Sequence, residues 1–206
     1  MARLLAIVFF SVFLTACTSI ITPLITPKVQ QDPAKLKAGQ YSLDKAHASL
    51  LFKIQHLGLS TYVGRFNDFD ASLEFDPNNI SASKLRVLVE IDSLDINAPD
   101  LKNDLMGRSW FHQAAYPYAE FESTSIRSVD GNDFIFSGQL SWRGVTAPID
   151  VTATFNGGAN NILSGKYTLG FTANASFLRS DFGMDKFVPL VGDDVKVEAY
   201  VEFLKN

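Results

Sequence analysis

The segment that decides the fold is Tyr167-Thr168-Leu169-Gly170-Phe171-Thr172-Ala173-Asn174-Ala175-Ser176-Phe177. Apolar or small residues occupy every second position of it, from Tyr167 to Phe177, and mostly polar residues stand between them. Successive side chains of a β-strand point to opposite faces, so this pattern predicts a strand with one apolar and one polar face.

The same alternation recurs along the chain. Together with residues 167–177 it predicts eight strands, the other seven lying at residues 50–55, 69–75, 84–91, 119–123, 134–142, 149–155 and 195–203. Turn-forming residues separate several of them, at Asp76-Pro77-Asn78-Asn79, Asp130-Gly131-Asn132 and Asn156-Gly157-Gly158. The only predicted helical segment lies near residues 99–115.

Eight one-sided strands with almost no helix must cover their apolar faces with one another. The chain is therefore expected to be all-β, as a closed antiparallel barrel or a sandwich. An eight-stranded barrel is just wide enough to be filled by side chains or to hold one small ligand. Small residues on the inward faces favour a cavity, whereas neighbouring Phe side chains that fill these gaps are the alternative; the small residues are Ala71, Gly138, Ala153, Ala173, Ala175 and Ala199.

The N-terminus has the features of an export signal. Arg3 precedes an apolar run over residues 4–14, and Leu14-Thr15-Ala16-Cys17 follows directly. A small residue and Cys behind such a run are typical of a bacterial lipoprotein, in which cleavage before Cys17 leaves an acylated N-terminus. An uncleaved membrane anchor is the alternative. The absence of Asp after Cys17, where Thr18 stands, favours the outer membrane, facing the periplasm.

The composition restricts the class of protein. Cleavage would remove Arg3 and leave 17 basic against 22 acidic residues without a basic cluster, which argues against nucleic-acid binding. Cys17 is the only cysteine, so no disulfide is expected, and the 17 Phe residues can supply a core. We predict a signal peptide at residues 1–16, a Pro-containing spacer at 17–40 and one barrel domain at 41–206.

Few residues are candidates for chemistry. The three histidines show no metal-ligand spacing, and no nucleophile, phosphate-binding or dinucleotide motif is present, so neither metal nor cofactor is expected. His47 with Asp44 could form a base and an orienting carboxylate. Arg179 and Asp181 predict either an ion pair that closes one end of the barrel or, for Arg179, a contact to a polar headgroup.

Several of these segments together resemble the YceI-like family, in order from Tyr41 to Phe203. The most specific is Arg179-Ser180-Asp181-Phe182-Gly183-Met184, and the others include Tyr41-x-x-Asp44-x-x-His47, His56-x-Gly58, Phe75-Asp76-Pro77, Trp110-Phe111, Arg143-Gly144-Val145-Thr146 and Val191-Gly192-Asp193. The resemblance implies a lipocalin-like eight-stranded antiparallel barrel that holds a polyisoprenoid or another long-chain amphiphile, such as an isoprenoid quinone. Ala48 and Asp104 depart from the Ser and His that the family commonly has there.

The resulting prediction is a membrane-tethered protein that sequesters or carries a polyisoprenoid inside its barrel. The expected ligand contacts are Phe52, Phe66, Phe111, Phe121, Phe136, Trp142, Phe171, Ala173, Ala175, Phe177 and Arg179. Two alternatives stand beside it: an enzyme that acts on an isoprenoid lipid through His47 and Asp44, and a stress-response module without a ligand.

Overall fold

The computed structural model describes residues 26–206, and Cys17 with the predicted signal peptide lies outside that range. Eleven strands and one helix follow in order: β1 (Gly39–Leu43), β2 (Ser49–His56), β3 (Ser60–Phe66), β4 (Phe69–Phe75), β5 (Lys84–Glu90), β6 (Leu94–Asp95), α1 (Pro99–Met106), β7 (Tyr118–Asp130), β8 (Asp133–Trp142), β9 (Val145–Asn160), β10 (Tyr167–Leu178) and β11 (Val191–Lys205). No helix among residues 26–206 has the length and apolar character needed to cross a bilayer.

These strands form a closed antiparallel barrel with eight walls. β1 and β2 form one wall, because both pair with β11 and only a 3-10 turn at Lys45–His47 separates them. β3 and β4 likewise form one wall, interrupted at residues 67–68. β5 and β6 form another, interrupted by a 3-10 turn at Ile91–Ser93. Each wall pairs with its neighbour in sequence, and the pairing of β1 with β11 closes the ring. The predicted eight-stranded barrel is confirmed.

Three strands, β1, β3 and the two-residue β6, were not apparent in the sequence pattern. In β3 the inward positions are Tyr62, Gly64 and Phe66, and the outward positions include the exposed Val63. A glycine on the apolar face and a valine on the polar face hide the alternation. The short β1 has only Tyr41 and Leu43 as buried residues.

The helical segment is shorter than the predicted range of 99–115. α1 ends at Met106, where the N–H of Gly107 donates a hydrogen bond of 3.0 Å to the carbonyl of Asp104. Residues 107–115 form a series of turns stabilised by backbone hydrogen bonds, including one from the N–H of Phe111 to the carbonyl of Leu105.

The turn predicted at Asn156-Gly157-Gly158 is wrong, because β9 continues through it to Asn160. Gly157 has a φ of +140° and lies opposite a register shift in the pairing with β10. A side chain on Gly157 would overlap with Val29, and one on Gly158 would press on Leu36. The two glycines therefore let the N-terminal segment lie close against the barrel, and the strands turn further on, at residues 161–166.

The described part of the expected spacer packs on the barrel. Gln30 and Gly158 exchange two backbone hydrogen bonds of 2.8 Å, and Leu36 is buried in the core. This end, which also contains the β7–β8 and β9–β10 turns, is called the closed end. Its core includes Tyr41, Phe75 and Phe155. The opposite end contains the β2–β3 turn, α1 and the β10–β11 connection, and is called the open end.

Candidate functional site: an apolar cavity in the barrel

A cavity of about 650 Å³ occupies the interior of the barrel. Its volume lies within the range of small-molecule sites, roughly 300–1,000 Å³. All the predicted ligand contacts are among the residues that line it: Phe52, Phe66, Phe111, Phe121, Phe136, Trp142, Phe171, Ala173, Ala175, Phe177 and Arg179. The cavity reaches the surface at the open end, where its lining includes the exposed residues His56, Leu101 and Phe187.

A row of alanines creates much of the space. Ala173 of β10 lies opposite Ala153 of β9 and opposite Ala199 of β11, and all three side chains line the cavity. Three methyl groups side by side leave a shallow wall where larger residues would meet across the barrel. Ala175 extends this wall toward the open end, between Val151 and Val197.

Phenylalanine rings fill the space above two glycines instead. A side chain on Gly138 would overlap with the ring of Phe121, and one on Gly64 would overlap with the ring of Phe52. At these two positions a neighbouring Phe ring occupies the space that a side chain on the glycine would take. The sequence left open whether Phe side chains fill the interior, and the structure shows that they fill it in part and leave a cavity beside the alanine row.

Aromatic side chains surround the cavity near the open end. The Trp142 ring lies 5.4 Å from the ring of Phe111 and 5.9 Å from that of Phe182, measured between centroids. Phe111 in turn lies 6.1 Å from Phe66. Two buried polar atoms in cavity-lining residues have no hydrogen-bond partner among the described residues: the indole Nε1 of Trp142 and the hydroxyl of Tyr62.

Arg179 is buried, with 1% of its surface exposed, and holds the β10–β11 connection together. Its guanidinium donates hydrogen bonds to four backbone carbonyls, those of Met184 (2.6 Å), Gly192 (2.8 Å), Val191 (2.9 Å) and Lys186 (3.0 Å). Burial lowers the pKa of Arg179 below its ordinary value, and the nearby carboxylates of Asp193 and Asp185 oppose that shift.

The predicted ion pair between Arg179 and Asp181 is wrong. Asp181 is exposed, and the carboxylate that stabilises this turn is that of Asp193. Asp193 accepts hydrogen bonds from the backbone N–H and the hydroxyl of Ser180, at 2.9 and 2.6 Å. Arg179 is the first residue of a 3-10 turn at Arg179–Phe182, so a spacing of two residues directs Asp181 away from the guanidinium.

Arg143 connects the loops of the open end, a role that the sequence did not indicate. It occupies the β8–β9 turn with a φ of +52°. Its guanidinium donates to the carbonyl of Gly183 at 2.8 Å and to that of Arg108 at 3.3 Å. Burial lowers its pKa. The turns at residues 107–115, 143–144 and 179–183 are thereby held in one arrangement.

His47 and Asp44 lie apart from the cavity lining. The Asp44 carboxylate accepts a hydrogen bond from His47 Nδ1 at 2.9 Å, and the His47 side chain is 63% exposed. Glu202, distant in sequence, brings a third ligand-type atom within 4.8 Å of the other two. This trio is the arrangement nearest to a metal site among the described residues, but Asp44 already caps the turn by accepting from the N–H of Ala46.

A closed antiparallel barrel of eight walls, with an apolar interior that opens at one end, has the architecture of a lipocalin-like ligand-binding protein. The sequence profile described as "YceI-like domain" matches residues 41–203. A UPF0312 protein of Shewanella denitrificans is 34% identical over 176 residues, which cover 84% of this chain and 92% of that protein. The chain belongs to the YceI-like family.

Solved structures agree with this assignment. The YceI protein of Campylobacter jejuni superposes with a TM-score of 0.66 at 30% identity, covering 75% of this chain and 91% of that one. A domain from Saccharophagus degradans, described as a polyisoprenoid binding domain, superposes with a TM-score of 0.60 at 16% identity, covering 82% and 100%. The second likeness is one of fold.

Proposed function

We propose that this protein binds the apolar chain of a polyisoprenoid or a similar long-chain amphiphile inside its barrel, and acts as a carrier or store beside a membrane. The observation that carries the proposal is the cavity of about 650 Å³ with its apolar lining. Burial of apolar surface is worth about 25 cal/mol per Å², so a long prenyl chain supplies ample driving force for binding. The name of the Saccharophagus degradans domain supports the choice of ligand class.

Binding of this kind needs no catalytic group. The enzyme alternative depends on His47 and Asp44, and neither lines the cavity. Arg179 does line it, but four of its five N–H groups donate to backbone carbonyls. Its guanidinium therefore serves mainly to hold the β10–β11 connection.

The polar end of the ligand belongs at the open end of the barrel. Trp142 Nε1 and the Tyr62 hydroxyl are buried donors without a protein partner, and such groups are costly unless something accepts their hydrogen bonds. Both atoms are enclosed by the protein, so the surface that a ligand meets in the cavity is almost entirely apolar. The barrel therefore recognises the hydrocarbon chain of the ligand, and a polar headgroup lies at the opening.

Titration of the purified protein with two prenyl ligands tests this assignment. Trp142→Phe removes the enclosed indole nitrogen and keeps a large ring, so the affinity for a prenyl quinone should change by less than about tenfold, the value of one hydrogen bond. A polyprene without oxygen is the matched control and should show the same small change. A loss of quinone affinity alone would contradict recognition through the hydrocarbon chain, and no binding of either ligand to the wild type would refute the function.

Membrane tethering through Cys17 is the second part of the proposal, with the outer membrane and the periplasmic side as its location. It is supported by the sequence Leu14-Thr15-Ala16-Cys17 behind an apolar run. Mass spectrometry of the mature protein should find a diacylglycerol-modified Cys17 at the N-terminus, and Cys17→Ala should prevent this processing. A mature N-terminus at any other residue would contradict the tether while leaving the barrel's ligand unaffected.

A further inference from the structure

Exposed apolar side chains occur at both ends of the barrel, and at the open end they lie on two loops beside the mouth of the cavity. Leu57 and Leu59 of the β2–β3 turn are 50% and 85% exposed, and Phe187 and Leu190 of the β10–β11 connection are 56% and 60% exposed. We call these four residues the apolar rim. The two loops are joined, because the N–H of Leu57 donates a hydrogen bond of 2.7 Å to the carbonyl of Leu190.

Two rim residues have backbone conformations that do not suit them. Leu57 has a φ of +55° and Phe187 a φ of +63°, in the left-handed region that glycine and asparagine adopt readily and bulky side chains avoid. Strain of this kind costs of order 1–3 kcal/mol per residue. Phe187 packs in part on Trp110, but about half of each side chain stays exposed, so contacts within the described residues offset little of this strain. A partner that covers the exposed halves would offset more of it.

The rim is continuous with the cavity. Phe187 belongs to both, since its ring is exposed and also lines the cavity, and it lies 6.1 Å from the ring of Trp110. The Lys186 Nζ is 5.0 Å from the Phe187 ring centroid. A cation directly beside an exposed aromatic ring suits the headgroup region of a bilayer, where the ring can enter the apolar layer and the ammonium stays among phosphates.

We propose that the apolar rim docks on the surface of a phospholipid bilayer, so that the ligand passes between bilayer and cavity without crossing water. This inference rests on the proposed function, whose ligand has a long apolar chain. The described N-terminal segment joins the barrel at the closed end, through Gln30 and Gly158, and so leaves the rim uncovered. Only Gly58 stands between Leu57 and Leu59, and only Val188 and Pro189 between Phe187 and Leu190, so each loop ends in an uncharged apolar tip that can enter a soft lipid layer.

Tryptophan quenching in the full-length protein tests the orientation. Leu59→Trp places a fluorophore on the rim, and Leu163→Trp, in the β9–β10 turn at the closed end, is a matched control because Leu163 is 86% exposed. With phosphatidylcholine vesicles brominated in the acyl chains, quenching above the wild-type background is expected for Leu59→Trp and not for Leu163→Trp. Quenching of Leu163→Trp alone, of both equally or of neither would overturn the proposal.

A transfer experiment separates this proposal from the proposed function. Leu59→Asp should slow transfer of a bound fluorescent prenyl lipid to phosphatidylcholine vesicles by about tenfold, because it removes an inserted apolar side chain. Leu163→Asp should not slow it, and both variants should retain the lipid as the wild type does. Unchanged transfer by Leu59→Asp with normal retention would refute docking alone, and absence of lipid in all three proteins would refute the proposed function. A vesicle-independent dimer that Leu59→Asp dissociates would assign the rim to a second copy and also refute membrane docking.

Discussion

Arg179 stabilises the β10–β11 connection, a role that its sequence context only partly predicts. The sequence predicted that a cation in this motif either closes the barrel or meets a headgroup. In the structure it binds the carbonyls of residues 184, 186, 191 and 192, so it organises the loop beside the cavity entrance. The spacing to Asp181 was misleading because local geometry, here a 3-10 turn, decides which carboxylate is near.

Arg179→Ala should lower the free energy of unfolding by about 3–5 kcal/mol, since it removes one buried and three partly buried hydrogen bonds to backbone carbonyls. Asp181→Ala is the control and should change it by less than about 0.5 kcal/mol, as is usual for an exposed residue. Urea denaturation of both variants measures the difference. A stable Arg179→Ala variant that has lost only its ligand would show that the arginine serves the headgroup after all.

Ala173 lies at the centre of the alanine row, so its replacement tests whether the space there is used. Ala173→Trp should place an indole in the cavity and abolish lipid retention while the domain stays folded. Thr152→Trp, on the outward face of the adjacent β9, is the control and should retain lipid. If the barrel were already full, the indole would overpack it at a cost of typically 1–3 kcal/mol, which thermal melting would register.

At the scale of elements, period-two patterning predicted β4, β5, β8, β10 and β11 well, because each has one buried and one solvated face. It failed where glycine substitutes for an apolar side chain, as Gly64 does in β3, or where adjacent glycines simulate a turn, as in β9. Which glycine receives a ring and which borders empty space depends on the partner strand. The local sequence does not contain that information.

The pairing of β7 with β8 makes Gly138 a sensitive position. A methyl group there would overlap with the backbone oxygen of Glu122 and with the Phe121 ring, and the backbone cannot yield as a side chain end can. Gly138→Ala should therefore destabilise the protein by about 1–3 kcal/mol. Gly170→Ala in β10 is the matched control, because its nearest neighbour would be at an ordinary 3.6 Å. Equal melting temperatures for the two variants would contradict this packing.

His47 lies in the 3-10 turn between β1 and β2, so its titration reports on the hydrogen bond with Asp44 in that turn. The hydrogen bond that His47 donates to Asp44, with the charges of Asp44 and Glu202, raises the pKa of His47 above 6.5. A raised folded-state pKa means that the stabilisation is present below the unfolded-state pKa and is lost as pH rises through the folded-state pKa. NMR titration should give a pKa above 6.5 that falls toward 6.5 in Asp44→Asn. A value already at 6.5 in the wild type would contradict the hydrogen bond.

For the whole molecule, the family and the barrel could be predicted from sequence because the strands and the distinctive segments recur in order along the chain. All the predicted contact residues line the cavity, and for those in strands the alternation fixes which face is inward; Phe111 and Arg179 lie in turns at the open end. The extent of the cavity, the unpaired donors at Tyr62 and Trp142, and the bridging of loops by Arg143 could not be predicted. They arise from residues far apart in sequence that meet only when the barrel closes.

If the cavity holds a prenyl-type lipid, the protein should retain that lipid through purification from its own membranes. The full-length protein is extracted gently from its own membranes and purified beside Ala173→Trp and Thr152→Trp, and organic extracts are analysed by mass spectrometry. We expect a long-chain prenyl lipid in near-stoichiometric amount in the wild type and in Thr152→Trp, and its absence from a folded Ala173→Trp. A wild-type extract without any such lipid, or the same lipid retained in Ala173→Trp, would contradict this expectation.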